Sequence, residues 1–356
     1  MSEGWLVTVV TTRLDASQPR TDVCDGVRIE RVRGLPFSRA SHVKRAFGYL
    51  SLYPALFWRA CRSPRSDFVV TMTDPPLQLV LGPPVKWVKS ARLIHWAQDI
   101  YPELAETLGV LRANGLVARC LRRISTFALH RYGSICCVGR CMKDRLVARG
   151  LKAERINVIA NWPLQPAVTA DSDEGATFRK ANDFGNAFVV MYSGNFGLAH
   201  PFEVIVETAK YLETSSPNVL FVMVGDGPRL GWLKEQTSKL RNVRFLPSQP
   251  LKLLSQSLRA ADVHLVAMRQ DLSGLVVPSK VYGVVAAGRP CLFLGPSDGE
   301  AARFLIERDC GIVLRSDDAD GLTEYLKRLA NDPAEVSRLQ HRAWNLPLNR
   351  LIILSW

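Results

Sequence analysis

The chain has 356 residues, 47% of them hydrophobic and 22% charged, a balance that suits a soluble globular protein of about two domains. No apolar stretch reaches the roughly 18–20 residues that span a bilayer, and the start, MSEGWLVTVVTTR, lacks the basic and apolar regions of a secretory signal. The net charge is +13, and it is uneven: 25 of the 46 basic but only 12 of the 33 acidic side chains precede Trp162. An excess confined to one half fits a face turned to nucleic acid, an anionic membrane or acidic substrate groups. No helix-turn-helix, RRM, KH or finger signature is present, which counts against a nucleic-acid partner.

In chain order, the first half offers strands at WLVTVV, GVRIERV, DFVVTM, ARLIHWAQ, SICCVG and INVIAN. Helices are predicted over Lys44–Ala60, Leu77–Lys89 and Val117–Arg131, so residues 1–161 read as one α/β domain. Residues 162–186 are polar, lack periodicity and read as a linker. The second half is more regular: six short apolar runs (AFVVMYSG, NVLFVMVG, NVRFL, DVHLVAM, PCLFLG and CGIVL) alternate with helical segments. Near-continuous β-branched runs are those of strands buried on both faces, so residues 187–335 predict a doubly wound parallel sheet. Residues 336–356 form an atypical tail. Eight cysteines without CxxC spacing or following histidine pairs read as reduced thiols of a cytosolic protein.

Ligands of doubly wound sheets bind outside the carboxyl ends of the strands, and with two such domains a cleft between them is the expected site. YSGNFG (Tyr192–Gly197) follows a strand and precedes a helix. Its glycines permit close backbone approach, and its N–H groups suit a phosphate, although it is not GxGxxG. Asp226 of the next turn, VGDGP, reads as a turn former. In GLVVPSKVYGVVAAGRP (Gly274–Pro290), Ser279 and Lys280 interrupt an apolar run at a helix start. A lysine there suits an anion held by the neighbouring glycine loop. On the first-half strand ARLIHWAQ lies His95, read equally as a core histidine, and Asp99 directly follows that strand's end.

YSGNFG, VGDGP, NVRFLPSQP, AADVHLV, VPSKVYGVVAAGRP and the segment from Glu300 to Leu314, in this order, resemble the carboxyl-terminal domain of GT-B retaining glycosyltransferases of glycosyltransferase family 4. The resemblance points to the bacterial branch that builds capsular, colanic-acid and O-antigen polysaccharides. WAQDIYPELAETLG and INVIANWPL resemble that branch's first domain. The resemblance implies two Rossmann-like domains facing a cleft, and transfer of a sugar from a nucleotide-sugar, with uridine the expected base. The acceptor would be a polyprenyl-diphosphate-linked sugar or a growing polysaccharide at the inner face of the cell membrane. Gly194, Asn195, Gly197, Ser279 and Lys280 would bind the diphosphate, Phe245 to Gln249 would lie at the nucleobase, and Glu300 would accept a ribose or sugar hydroxyl. Asp99, Glu103 and His95 would be catalytic. Neither metal nor cofactor is expected, because DSD (Asp171–Asp173) and DAD (Asp318–Asp320) read as solvated loops.

Three departures qualify the resemblance. The second glutamate of the family's Glu–x7–Glu pair falls at Gly283, and Leu275 stands eight residues before it. Family members start with a strand and glycine-rich loop before the strand matching WLVTVV, so that first unit is expected to be missing. The tail NLPLNRLIILSW does not resemble the family's terminal helix, which suggests a truncated chain. An inactive nucleotide-sugar-binding module and a GT-B nucleotide-sugar epimerase are the alternatives. Aromatic and basic groups in Ala46–Arg65 and LVLGPPVKWVKSAR suit peripheral attachment to an anionic membrane.

Overall fold

The structure is a computed structural model and describes residues 4–13, 15, 17–35, 42–163 and 174–346. The expected linker residues 164–173, with the DSD run, and residues 347–356 of the tail lie outside the described residues. The chain divides into two compact units. The first takes in Met1–Cys137 and Leu146–Asn157; the second takes in Val138–Arg145 and Val158–Trp356.

In the first unit β1 (Thr8–Thr12) pairs in parallel with β3 (Val27–Val32). β2 (Thr21–Cys24) adds to β3 as an antiparallel edge. Four further strands lie in the order β4 (Phe68–Thr71), β5 (Arg92–Ala97), β6 (Ser134–Cys137) and β7 (Ile156–Val158). Around them lie α1 (His42–Arg62), α2 (Gly82–Lys89), α3 (Glu103–Thr107) and α4 (Leu116–Leu129). The helix expected over Leu77–Lys89 is divided: a 3-10 turn spans Gln78–Leu81 and α2 starts at Gly82. Pro83 and Pro84 cause this, because proline suits a first helical turn and cannot donate within one.

α5 (Arg140–Ala148) was not expected from sequence, and its first residues, to Arg145, belong to the second unit. That unit is built on six parallel strands: β8 (Phe188–Ser193), β9 (Val219–Val224), β10 (Val243–Leu246), β11 (Val263–Ala267), β12 (Cys291–Leu294) and β13 (Gly311–Leu314). Their spatial order is β10-β9-β8-β11-β12-β13, so the order reverses between β8 and β11, the switch point where such sheets hold ligands. Apart from Arg244 on the edge strand and His264, the strands are largely apolar because both faces of the sheet are covered. Val190, Tyr192, Phe221 and Met223 enter one core with α7 (Phe202–Ser215) and α12 (Ala319–Asn331). The alternate residues Val189, Met191, Leu220 and Val222 enter the other with Phe178.

Phe178 belongs to α6 (Glu174–Ala181), which packs on α9 (Leu251–Arg259). Residues 174–181, expected as linker, are therefore a helix of the second unit. Likewise α13 (Pro333–Trp344) occupies the start of the expected tail, capped by Asp332 and burying Val336, Leu339 and Ala343. A Cβ at Gly288 would meet the Trp344 ring at 2.3 Å. α8 (Leu230–Gln236), α10 (Lys280–Ala286) and α11 (Glu300–Arg308) complete the helices. All eight cysteines are free thiols. Among the described residues no helix is long and apolar enough to cross a membrane.

Candidate functional site

The loop after β8 is held by the turn after β9. Gly194 N–H donates to the Val224 carbonyl at 2.8 Å and Phe196 N–H to that of Asp226 at 2.9 Å. Two of the N–H groups expected to face a phosphate are thus engaged, leaving Asn195 and Gly197 as the candidate donors of this loop. The closeness explains the glycines of VGDGP: a Cβ at Gly225 would lie 2.0 Å from the Gly194 carbonyl oxygen. Both Gly225 and Gly227 also have φ in the positive region, at 140° and 155°, which other residues adopt at a cost. Asp226 accepts from Gly227 N–H at 2.8 Å, the turn-forming role expected of it.

Across the switch point, Lys280 opens α10. Its Nζ donates to the Tyr192 hydroxyl at 2.6 Å and lies 4.2 Å from the centre of that ring. The Tyr192 hydroxyl in turn donates to the Asn195 carbonyl at 2.9 Å. A Cβ on Gly194, whose φ is 135°, would meet Lys280 Cε at 2.4 Å, so the lysine stem lies against the bare loop backbone. Among the described residues no carboxylate forms an ion pair with Lys280, and burial lowers its ammonium to about 7. The structure thus brings Gly194, Asn195 and Lys280 together. Ser279, directly before Lys280, is exposed, and Gly197 lies beside the Asn195 side chain.

Tyr192 and His200 belong to this constellation and were not singled out from sequence. Tyr192 is buried in an edge-to-face cluster with Phe202 and His200. His200 Nδ1 is 2.5 Å from the Ala267 carbonyl, and burial, reinforced by Lys280, lowers it to about 4, so it is neutral. The available signal was a tyrosine within a fully buried strand, whose hydroxyl must find a partner. Phe245 and the loop through Gln249 occupy the carboxyl end of β10, on the same edge of the sheet. An open depression of about 690 Å³ lined by Lys239, Arg241 and Arg244 lies at the amino-terminal edge instead, away from these loops.

Glu300 opens α11, and there it meets a partner that the sequence did not announce. It is buried at the start of α11, where it accepts from the Arg140 backbone N–H at 2.6 Å and pairs with the Arg140 guanidinium at 3.0 Å. Arg140 also pairs with Glu307 at 2.7 Å. Arg140 thus fixes the orientation of the carboxylate expected to receive a ribose or sugar hydroxyl, and a carboxylate has about four acceptor sites. At Gly283 no atom lies within 4 Å of where a Cβ would be, so that side of α10 is open.

In the first unit, Asp99 and Asp74 follow the adjacent parallel strands β5 and β4. Burial, and secondarily the charge of Asp74, raises Asp99 to about 6; burial also raises Asp74. A carboxyl poised near neutrality is suited to proton transfer. His95 and Glu103 do not share that setting. His95 is buried, its Nδ1 3.0 Å from Thr71 Oγ1, which also meets the Tyr132 hydroxyl at 3.0 Å. Burial lowers it to about 4. It is a neutral, satisfied core imidazole. Glu103 lies 3.5 Å from both Arg122 and Arg149, an ion cluster that fastens α3 to its surroundings.

This two-unit architecture, with a basic residue at the switch point of the second sheet, is that of a GT-B protein. Residues 1–162 match the glycosyl transferase 4-like domain and residues 187–332 the glycosyl transferases group 1 domain. With both halves matched, the chain belongs to the GT-B glycosyltransferases. Among curated proteins, it is 26% identical over 252 residues to the probable glycosyltransferase WbjE of Pseudomonas aeruginosa, covering 70% of this chain and 62% of that protein. It is also 26% identical over 250 residues to the protein named putative colanic acid biosynthesis glycosyl transferase WcaI of Escherichia coli (strain K12), covering 68% of this chain and 60% of that protein. The matches thus span about three-fifths of the length of these relatives. Among solved structures, Anabaena Alr3699/HepE in complex with UDP superposes with a TM-score of 0.70 at 13% identity, over 98% of each chain. WaaG, a glycosyltransferase involved in lipopolysaccharide biosynthesis, gives 0.67 at 17% identity, over 99% of this chain and 91% of the other. At these identities the likeness concerns the fold.

Proposed function

We propose that this chain moves a glycosyl group from a nucleotide-sugar, UDP-linked, to a lipid-linked or growing cell-surface polysaccharide acceptor. In this reading the reaction retains anomeric configuration and needs no metal. The observation that carries it is Lys280: a cation at the switch point, against the Gly194 backbone and without a carboxylate partner among the described residues. A half-buried cation lacking a counter-charge is stabilised by an anion, and a diphosphate has the size and charge for it. As the glycosidic bond to the diphosphate breaks, negative charge grows on the leaving oxygen, and Lys280 with the Asn195 and Gly197 amides is suited to stabilise it. Asp99 is the candidate to exchange a proton with the acceptor hydroxyl.

Calorimetric titration with UDP, GDP and ADP tests the donor reading. One nucleotide is expected to bind, and Lys280→Ala to weaken it at least tenfold. Binding of none by the folded protein refutes it. A donor-binding module without transfer activity is the second reading, favoured by Gly283, which supplies no carboxylate where the family's second glutamate falls. It predicts nucleotide binding with no product on any lipid-linked acceptor.

Peripheral attachment at the cytoplasmic face of the cell membrane belongs to the same proposal. Trp87 on α2 is 89% exposed beside Lys86, and Trp58 on α1 is 60% exposed with the Arg62 guanidinium 3.5 Å above its ring. Exposed indoles among cations are suited to an anionic lipid interface. Cosedimentation with anionic vesicles, weakened by Trp87→Ser and lost with neutral lipid, is the expected result; equal recovery with both lipids refutes it.

A further inference from the structure

We propose that the donor diphosphate is bound together with a proton, and that Tyr192 is the positioning residue that holds the Lys280 amine until the anion arrives. This rests on the nucleotide-sugar reading above and adds a linkage that reading does not require. The geometry is a relay across the switch point: Lys280 Nζ donates to the Tyr192 hydroxyl, which donates to the Asn195 carbonyl. β8, the loop after it and the start of α10 are thereby joined through one phenol. The groups facing the amine carry no negative charge. Burial raises the Tyr192 phenol far above neutrality, which keeps it protonated. His200, ahead of α7, is neutral and bound to the Ala267 carbonyl.

The charged groups on neighbouring elements are engaged elsewhere. Glu203 on α7 pairs with Arg229 at 2.6 Å, Glu300 on α11 pairs with Arg140, and Asp226 accepts from Gly227. Tyr282, on α10 itself, is a buried phenol raised by burial. A phenol oxygen and a ring face stabilise an ammonium less than an anion does. The resting state at neutral pH is therefore a mixture of amine and ammonium, in keeping with burial lowering Lys280 to about 7. When the diphosphate enters, Nζ takes one proton from the buffer. One N–H bond forms as the buffer acid's bond to that proton breaks, its electron pair staying on the buffer base, and the ammonium leaves the phenol for the phosphate oxygens. Tyr192, still bonded to Asn195, keeps the loop in place.

The test is calorimetry with UDP-glucose, or GDP-mannose if guanosine proves to be the bound base. Both are diphosphate diesters whose own phosphates do not titrate between pH 6 and 9. The observed enthalpy is measured in buffers of different ionisation enthalpy at several pH values, giving the protons taken up per ligand. Uptake is expected to be small at pH 6 and to approach one at pH 8.5. Affinity should fall toward tenfold per pH unit above the lysine's midpoint. Lys280→Arg, always charged, should bind with no uptake and a flat pH profile. Tyr192→Phe keeps the ring and its packing but removes the acceptor of the ammonium, and should move the uptake midpoint to lower pH. Circular dichroism checks that each variant is folded.

Binding without uptake at pH 8.5, or equal uptake by Lys280→Arg, overturns the proposal while leaving the donor reading intact. A midpoint unchanged in Tyr192→Phe overturns the role of the phenol. Absence of any nucleotide-sugar binding overturns both the linkage and the donor reading.

Discussion

Gly283→Ala is expected to stabilise the second unit. Gly283 is the fourth of the seven residues of α10, an interior helical position, and no atom lies within 4 Å of the site its Cβ would occupy. Glycine in a helix interior costs about 1 kcal/mol relative to alanine, mostly through the greater freedom of the unfolded backbone. No steric penalty opposes the gain. In so short a helix the expected change is about 0.5–1 kcal/mol, and for a unit of this size that corresponds to a rise of roughly 1–4 °C in midpoint. Thermal melts followed by circular dichroism, together with urea titration, measure it. The urea midpoint should rise at unchanged slope, which shows that the stability has changed while the surface exposed on unfolding has not. An unchanged or lowered midpoint would refute the reasoning, because it would mean that the space beside α10 is filled in solution.

Three further outcomes are expected. Burial lowers His95, His200 and His264 each to about 4, against an unfolded value of 6.5. The unfolded chain therefore binds more protons between those values, and stability present above pH 6.5 should be lost as pH falls through about 4. Melts from pH 7.5 to 4.5 should show a falling midpoint; a flat profile would contradict this. Asp99 behaves oppositely, because its raised value makes ionisation cost stability as pH rises from about 4 through 6. Asp99→Asn should thus stabilise the first unit by about 1–3 kcal/mol at pH 7.5, and by less at pH 5, while lowering transfer activity; a loss of stability at pH 7.5 would refute it. Glu30 is wholly buried on β3 between Arg28 and Arg59, each at 2.8 Å. Arg59→Met removes one of the two cations compensating that carboxylate and should cost about 1–3 kcal/mol in urea unfolding.

The strands of the second unit were legible because burial on both faces writes itself as short β-branched runs. β2 was not, since TDVC is exposed along its whole length and carries no apolar pattern. α6 and α13 were hidden for a related reason: each buries only a narrow stripe, such as Gly175 and Phe178, beneath a polar surface. Lys280 and Asp99 could be singled out because a polar group ending an apolar run needs a reason to be there. The pairing of Glu300 with Arg140 could not be read, because the partners are separated by 160 residues and only the folded chain brings them together. His95 was a candidate because it lies on the strand that Asp99 follows, and its burial and contact with Thr71 set the two apart.

Val138–Arg145 belongs to the second unit although the chain on either side of it belongs to the first. A carboxyl-terminal fragment begun at residue 158 would therefore lack Arg140, and Glu300 would lose both its guanidinium and its backbone donor. It would also lack Cys141, whose backbone carbonyl lies 2.6 Å from the position a Cβ on Gly274 would take. Grafting this half onto a relative requires transplanting that eight-residue piece as well, so the exchangeable module is discontinuous in the gene.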